Sequence, residues 1–180
     1  MINTVINRVM RLFTLVALVS LLNGCKPIFE SDLYGQWFDR GTKLVEGDYT
    51  PVDHWAGQWR IINIWAQWCK PCWQEIPELN QFYALQGAND IKLLGYNFDQ
   101  LQQEELKQLK TEMNIQFPVL LSWPELWQLP DIKGFPATLI ISPDNTLVKV
   151  LWGPQTLSSL HGEIDNAKEN EKQNEKQNEK

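Results

Sequence analysis

The sequence predicts an α/β fold, a central mixed β-sheet flanked by helices on both faces, and three observations carry that prediction. Two β-branched and aromatic runs, at 59–65 and 91–98, are each followed by a segment with apolar residues at helical spacing, the order expected of strands joined by crossover helices. Two later runs, 137–141 and 146–152, flank Ser142-Pro143-Asp144-Asn145, a turn tight enough to make them an antiparallel hairpin, so the sheet must be mixed. The length of 180 residues, less a targeting-type segment at one end and a low-complexity tail at the other, fits one ordinary domain.

Composition narrows the function classes. At 43% hydrophobic and 21% charged the chain is near the globular average, which excludes a wholly disordered chain and a multi-spanning membrane protein. A formal net charge of −6 offers no electrostatic footprint for nucleic acid. Three cysteines are too few for a disulfide-stapled scaffold, and nine tryptophans supply aromatic surface for a core or a recognition face.

Taken in order, the first element is a targeting segment. Arg8 and Arg11 precede the uncharged run Leu12 to Leu22, which ends in Asn23-Gly24-Cys25. Eleven residues are too few to span a bilayer core, which needs about 20, so residues 1–24 read as a signal peptide. Leu22-Asn23-Gly24-Cys25 resembles the bacterial lipobox, which implies that Cys25 is lipidated and becomes the first residue of the mature chain. Residues 25–44 are then anchor and linker, and residues 26–55 are expected to be irregular with a short hairpin.

The domain itself is read over 45–166. Trp59 to Trp65 suits a buried strand, and from Pro71 to about Gln86 the residues Ile76, Leu79, Phe82 and Tyr83 form the stripe of an amphipathic helix, kinked at Pro77. Ile91 to Phe98 is a second strand. Asp99, with Gln102 three residues on, predicts a capping-box start for a helix carrying Leu106, Leu109 and Met113. Phe117 to Leu121 suits a short strand, the hairpin follows, and a last helix starts near Thr156. Residues 167–180 are a charged low-complexity tail, read as a solvated helical fringe or a disordered end.

The chemistry is concentrated in Trp68-Cys69-Lys70-Pro71-Cys72, where a strand ends and a helix begins. Unpaired N–H groups and the helix dipole stabilise a thiolate there, and Lys70 acts in the same direction, so Cys69 is expected to be the nucleophile and the more exposed thiol. Cys72, one turn further in, is the resolving thiol, and Pro71 limits the freedom of the loop between them. A structural zinc site would need four ligands, and His54 and His161 lack ligand-pair spacing, so no metal and no cofactor is expected. A purely structural disulfide would close a very short loop and constrain little of the unfolded chain.

On Ile64-Trp65-Ala66-Gln67-Trp68-Cys69-Lys70-Pro71-Cys72 and Gly134-Phe135-Pro136-Ala137-Thr138, the chain resembles the thioredoxin superfamily, and within it the membrane-tethered extracytoplasmic branch of TlpA, ResA and DsbE-like disulfide reductases. The resemblance covers about residues 45–165. It implies a thioredoxin-like fold, a cis Pro136 packed against the dithiol, and a substrate strand pairing with the backbone of Phe135. Trp68, beside the cysteines, is read either as bordering the substrate groove or as simple packing. Asn63 stands where thioredoxins proper carry a buried aspartate. Glu75 matches a glutamate of the TlpA/ResA branch near the cysteines, and is read either as a proton-transfer group for Cys72 or as a first-turn acid complementing the helix dipole. Trp73 is open to recognition or packing.

The function implied is a membrane-anchored thiol-disulfide oxidoreductase acting on protein disulfides outside the cytoplasm, with reduction as the direction. The alternatives are an oxidase or isomerase, or a non-catalytic envelope lipoprotein or metallochaperone of the same fold. Expected partners are protein thiol or disulfide clients, a membrane electron donor, and the lipid bilayer through acylated Cys25, with the protein acting as a monomer in the bacterial cell envelope. Nucleic acid is not a partner.

Overall fold

The computed structural model describes residues 42–47, 49–50, 52–86, 91–124, 127 and 129–178. The signal segment, Cys25 and most of the expected linker lie outside these residues. A small antiparallel pair, β1 (Thr42–Lys43) and β2 (Tyr49–Thr50), is followed by a 3-10 turn at Val52–Trp55. The main elements are β3 (Trp59–Trp65), α1 (Lys70–Gln86), β4 (Ile91–Asn97), α2 (Gln103–Glu112), β5 (Val119–Leu120), β6 (Ala137–Ile141), β7 (Leu147–Trp152) and α3 (Leu157–Asn178).

The mixed sheet is observed, in the order β5-β4-β3-β6-β7. Strands β3, β4 and β5 are parallel, whereas β6 runs antiparallel to both β3 and β7. The expected hairpin forms around 142–145: the Asp144 carboxylate accepts from the Ser142 hydroxyl and the Thr146 N–H, and Asn145 takes φ +69°, a left-handed conformation that asparagine tolerates.

Alternation along the strands creates two cores. On one face Ile61, Trp65, Leu93, Val119 and Ile140 pack against Ile76, Leu79 and Phe82 of α1, Leu106 and Leu109 of α2, and Leu160 and Ile164 of α3. On the other face Ile62, Ile64, Leu94, Tyr96 and Leu139 pack against Trp55 and Trp127, with Trp123 beside them. The covering is therefore unequal: buried residues of all three α-helices line one face, and the 3-10 turn with a tryptophan-bearing segment closes the other. Topology explains this, because β3, β4 and β5 step in one direction and two crossovers of the same hand put α1 and α2 on the same side. Arg60 is fully buried on the tryptophan-covered face, where its Nη2 donates to the Ser142 carbonyl at 3.0 Å and its guanidinium lies 5.3 Å from the Trp127 ring centre.

Three local expectations are corrected, and an alternative at the tail is resolved. The helix after β4 is not capped by Asp99; it begins at Gln103, and the Gln102 N–H donates to the Glu105 carboxylate. Asp99 is drawn instead to the dithiol loop. The strand expected at Phe117 to Leu121 is only Val119–Leu120, and its free edge is covered by residues 43–45 through Val45 N–H to Val119 O and Leu121 N–H to Lys43 O, each 2.8 Å. Tyr83, placed in the buried stripe of α1, is 38% exposed; Asn80 is buried instead, donating to the Asn114 carbonyl and accepting from the Gln116 N–H. Of the two readings of the tail, the helical one holds, since α3 continues to Asn178.

Candidate active site

The site forms where β3 stops. The strand is buried through Ala66, the Cys69 N–H returns to the Ala66 carbonyl at 3.1 Å, and α1 begins at Lys70, so Cys69 occupies the residue just before the helix. Its short distance from Cys72, one helical turn on, permits the disulfide observed between them, with Cα atoms 5.3 Å apart. The Cys72 N–H donates to Cys69 Sγ at 3.3 Å. On reduction, that N–H and the helix N-terminus would face a Cys69 thiolate, which lowers its proton affinity. In the disulfide form both cysteines are buried in the core, 3% exposed for Cys69 and 0% for Cys72, so the clearly greater exposure expected of Cys69 is not seen. Lys70 is exposed and Pro71 half-buried beside them.

Under the dithiol lies a polar cluster in an apolar core. Glu75 is 2% exposed and shares a helix face with Cys72, three residues earlier. Its Oε1 accepts from Asn63 Nδ2 at 2.7 Å and its Oε2 from the Gln155 N–H at 2.9 Å. Burial pushes the Glu75 carboxyl up to about 7, partly opposed by these two donors, which favour the ionised form. Asn63 also donates to Thr138 Oγ1 at 3.3 Å, across the β3–β6 register, while its own Oδ1 is buried without a hydrogen-bond partner. The chain thus carries a carboxyl under the dithiol that is brought there by α1, whereas β3 supplies an amide.

The third side of the site comes from the start of β6. Phe135-Pro136 is cis, as the family resemblance implies. The β3–β6 register sets Ala137 opposite Ile64, so Pro136 lies level with the end of β3 that leads into the dithiol loop. Gly153, at φ +83°, turns the chain out of β7 and donates its N–H to the Pro136 carbonyl at 2.9 Å.

Around this centre stand exposed aromatic rings. Trp68 is 69% exposed, yet its ring sits edge-on to Phe135 with centres 5.4 Å apart, and its Nε1 donates to Asp99 Oδ1 at 3.0 Å. Asp99 Oδ2 accepts from the Gln67 N–H at 2.6 Å. Phe98 packs on Phe135 at 4.9 Å, and Trp73 donates to the Gln67 carbonyl at 3.0 Å. Cys69, Cys72, Glu75, Trp68, Phe135, Pro136, Lys70 and Pro71 are therefore brought to one end of the sheet. Asp99 and Phe98 belong to the same surroundings and were not singled out for it. Their signal was present only as position, at the end of the strand next to β3.

His54 and His161 stay apart from the site, against Trp55 and Phe82 respectively. Among the described residues no group of three or more His, Cys, Asp or Glu could hold a metal ion, and no helix is long and apolar enough to cross a membrane.

Comparison with known proteins agrees with this arrangement. The model of the AhpC/TSA family matches residues 40–150. Sporulation thiol-disulfide oxidoreductase A of Bacillus subtilis is 26% identical over 121 residues, covering 66% of this chain and 73% of that protein. Thiol-disulfide oxidoreductase ResA of Bacillus cereus is 24% identical over 119 residues, 66% of this chain and 68% of that one. The crystal structure of StoA from Bacillus subtilis superposes with a TM-score of 0.56 at 26% identity, covering 67% of this chain and 91% of StoA. A thiol:disulfide interchange protein DsbE from Chlorobium tepidum, described as putative in its structure, shares the fold at a TM-score of 0.57 and 22% identity, over 71% of this chain and 91% of its own. The fold is thus thioredoxin-like.

Proposed function

The chain belongs to the AhpC/TSA family, and from that premise and the dithiol geometry we propose that it is a thiol-disulfide oxidoreductase that reduces protein disulfides outside the cytoplasm. The observation that carries this is a disulfide at the N-terminus of α1, beside cis Pro136 and above a buried carboxyl whose proton affinity lies near neutrality. Relatives named as thiol-disulfide oxidoreductases support the same chemistry.

In the reduced protein, Cys69 as a thiolate attacks one sulfur of a client disulfide. A mixed disulfide forms and the other client sulfur leaves as a thiolate. Cys72 then attacks Cys69 Sγ, so that the Cys69–Cys72 bond forms and the second client sulfur is released. Two electrons pass from the protein dithiol to the client, and the departing client thiolates take their protons from water. Glu75 takes the proton from Cys72 as it becomes the attacking thiolate and returns it when the disulfide is next reduced. Lys70 and the N–H groups at the start of α1 favour the Cys69 thiolate, while Phe135, Pro136 and Trp68 receive the client segment. A dithiol donor of the membrane resets the protein.

The direction rests on the resemblance to the reductase branch. Attachment rests on Cys25: residues 1–24 are removed as a signal peptide and the acylated cysteine holds the domain at the extracytoplasmic face of the bacterial envelope, as a monomer. Residues 45–166 then form the redox domain, and 167–180 a charged extension.

Reduction of insulin disulfides by the purified chain, with dithiothreitol as the resetting dithiol, tests the reading. Turnover that disappears in Cys69→Ser supports it, and turnover no faster than dithiothreitol alone would overturn it.

A further inference from the structure

The chain leaving β7 passes between the two halves of the site and bonds to both. Gly153, at φ +83°, donates its N–H to the Pro136 carbonyl at 2.9 Å. Pro154 has no N–H to offer. Gln155 donates its N–H to Glu75 Oε2 at 2.9 Å, and Leu157 donates its own to Glu78 Oε2, also at 2.9 Å. Alternate residues of one short stretch thus bind first the loop before β6 and then two carboxyls of α1. The stretch is also braced internally. Gln155 Nε2 donates to the Gly153 carbonyl at 2.9 Å, and the Ser159 hydroxyl donates to Gln155 Oε1 at 3.1 Å. Thr156 and Ser159 bond each other's N–H through their hydroxyls, at 2.9 and 3.1 Å. A displacement at 155 is therefore passed on to 153.

We propose that residues 153–157 are a strap that couples the charge of Glu75 to the Pro136 loop, with Gly153 and Gln155 as positioning residues, so that client release follows disulfide closure. This rests on the oxidoreductase reading above. A hydrogen bond to a carboxylate is about twice as strong as one to a neutral carboxyl. While Glu75 is ionised, the Gln155 N–H is held firmly and the strap keeps the Pro136 loop in place for a client strand. Cys72 then passes its proton to Glu75, its thiolate attacks Cys69 Sγ, and the client sulfur leaves as a thiolate. That same proton weakens the Gln155 bond and loosens the loop that held the client. Linkage makes the coupling reciprocal: a client strand on the loop favours ionised Glu75, the form that accepts the proton. Among the described residues no cation bonds to this carboxyl. Asn63 from β3 donates to it and to Thr138 of β6, Cys72 and Glu78 share its helix, and on α3 His161 packs on Phe82 while Glu163 pairs with Lys149.

The test uses the full chain, isotopically labelled for NMR. In the oxidised protein the cysteines do not titrate, so the amide resonances of Gln155 and Gly153 should move with one midpoint, that of the Glu75 carboxyl carbon. Gly153 donates to no carboxylate, and its movement therefore reports the strap. Glu75→Gln should remove both movements. Gln155→Pro deletes the donor to Glu75: the carboxyl should still titrate, with its midpoint raised, while Gly153 no longer responds. Circular dichroism reports whether each variant is folded. If Gln155→Pro is not, Gln155→Ala carries the test, since it keeps the N–H and loses the brace to Gly153; the residue 155 amide should then follow Glu75 while the Gly153 response shrinks. The client side is read in Cys72→Ala, with Cys69 joined either to methanethiol or to the cysteine of acetyl-Ala-Ala-Cys-Ala-Ala-amide. The peptide should lower the proton affinity of Glu75 about 5-fold relative to the methylthio form, the difference between a charged and a neutral hydrogen bond.

A Gly153 amide that ignores pH in the native protein, one that follows Glu75 undiminished in both Gln155 variants, or equal proton affinity in the peptide and methylthio forms would overturn the strap. The oxidoreductase reading falls separately, on absence of insulin reduction by the native protein, which none of these resonances measures.

Discussion

Replacing Glu75 by Gln removes the one buried carboxyl beneath the dithiol, and its effect on stability has a calculable shape. Folding moves this carboxyl from an ordinary 4.5 to about 7 because burial penalises the charged form. At about 1.4 kcal/mol per pH unit, that displacement is worth about 3 kcal/mol. Between these two pH values the folded protein holds the proton more tightly than the unfolded chain, so the native state binds more protons and stability falls as pH rises. The contribution of the neutral carboxyl is thus fully present below 4.5 and lost as pH passes through about 7. Glu75→Gln carries no proton to lose. Urea unfolding of the oxidised protein, from about pH 4 to pH 8, should therefore show the native curve falling relative to that of Glu75→Gln by about 3 kcal/mol across this window. With the disulfide intact the two cysteines do not titrate, so the difference belongs to Glu75. Parallel curves would refute the argument that burial without a compensating cation governs this group. In the reduced protein the same substitution should slow exchange near neutral pH by about 10²-fold and erase an inflection near 7, as loss of a proton-transfer group does.

Three other perturbations follow from the geometry and the sequence. Cys72→Ala should accumulate client complexes that dissolve on reduction, whereas Cys69→Ala should yield few, as non-reducing gels of trapped clients would show; equal trapping by both would reverse the assigned roles. Gly95→Ala on β4 would place a methyl 3.0 Å from the Phe117 ring and 3.2 Å from Val119, so it should cost about 1–3 kcal/mol in urea unfolding, with no loss indicating that Phe117 yields. Intact mass of the membrane-extracted protein should correspond to a chain beginning at acylated Cys25, and an unmodified Cys25 would remove the anchor from the proposal.

The elements that sequence order makes legible are those whose cause is local. The buried run 59–65, the stripe of Ile76, Leu79 and Phe82, the tight turn at 142–145 and the helix start near Thr156 each depend on residues within a few positions of one another. The dithiol was legible for the same reason: a Cys-x-x-Cys at a strand-to-helix junction carries its own electrostatic logic. Asp99 shows how a local reading loses. Its spacing to Gln102 suits a cap, yet parallel pairing of β3 and β4 delivers it to the Gln67 N–H and the Trp68 indole, two stronger calls on one carboxylate than an exposed helix end.

What only tertiary structure decided is everything that requires two distant segments to meet. Trp127 covers Arg60, residues 43–45 close the β5 edge, and Asn63, Glu75 and Gln155 come together from β3, α1 and the approach to α3. Spacing along the chain is silent on such meetings, because strand register and crossover hand choose them. The sequence by itself determined which residues carry the sulfur chemistry and at which junction; the fold determined the proton affinity of Glu75 and the fixed pose of Trp68, since desolvation and cross-strand hydrogen bonds exist only once the sheet has assembled.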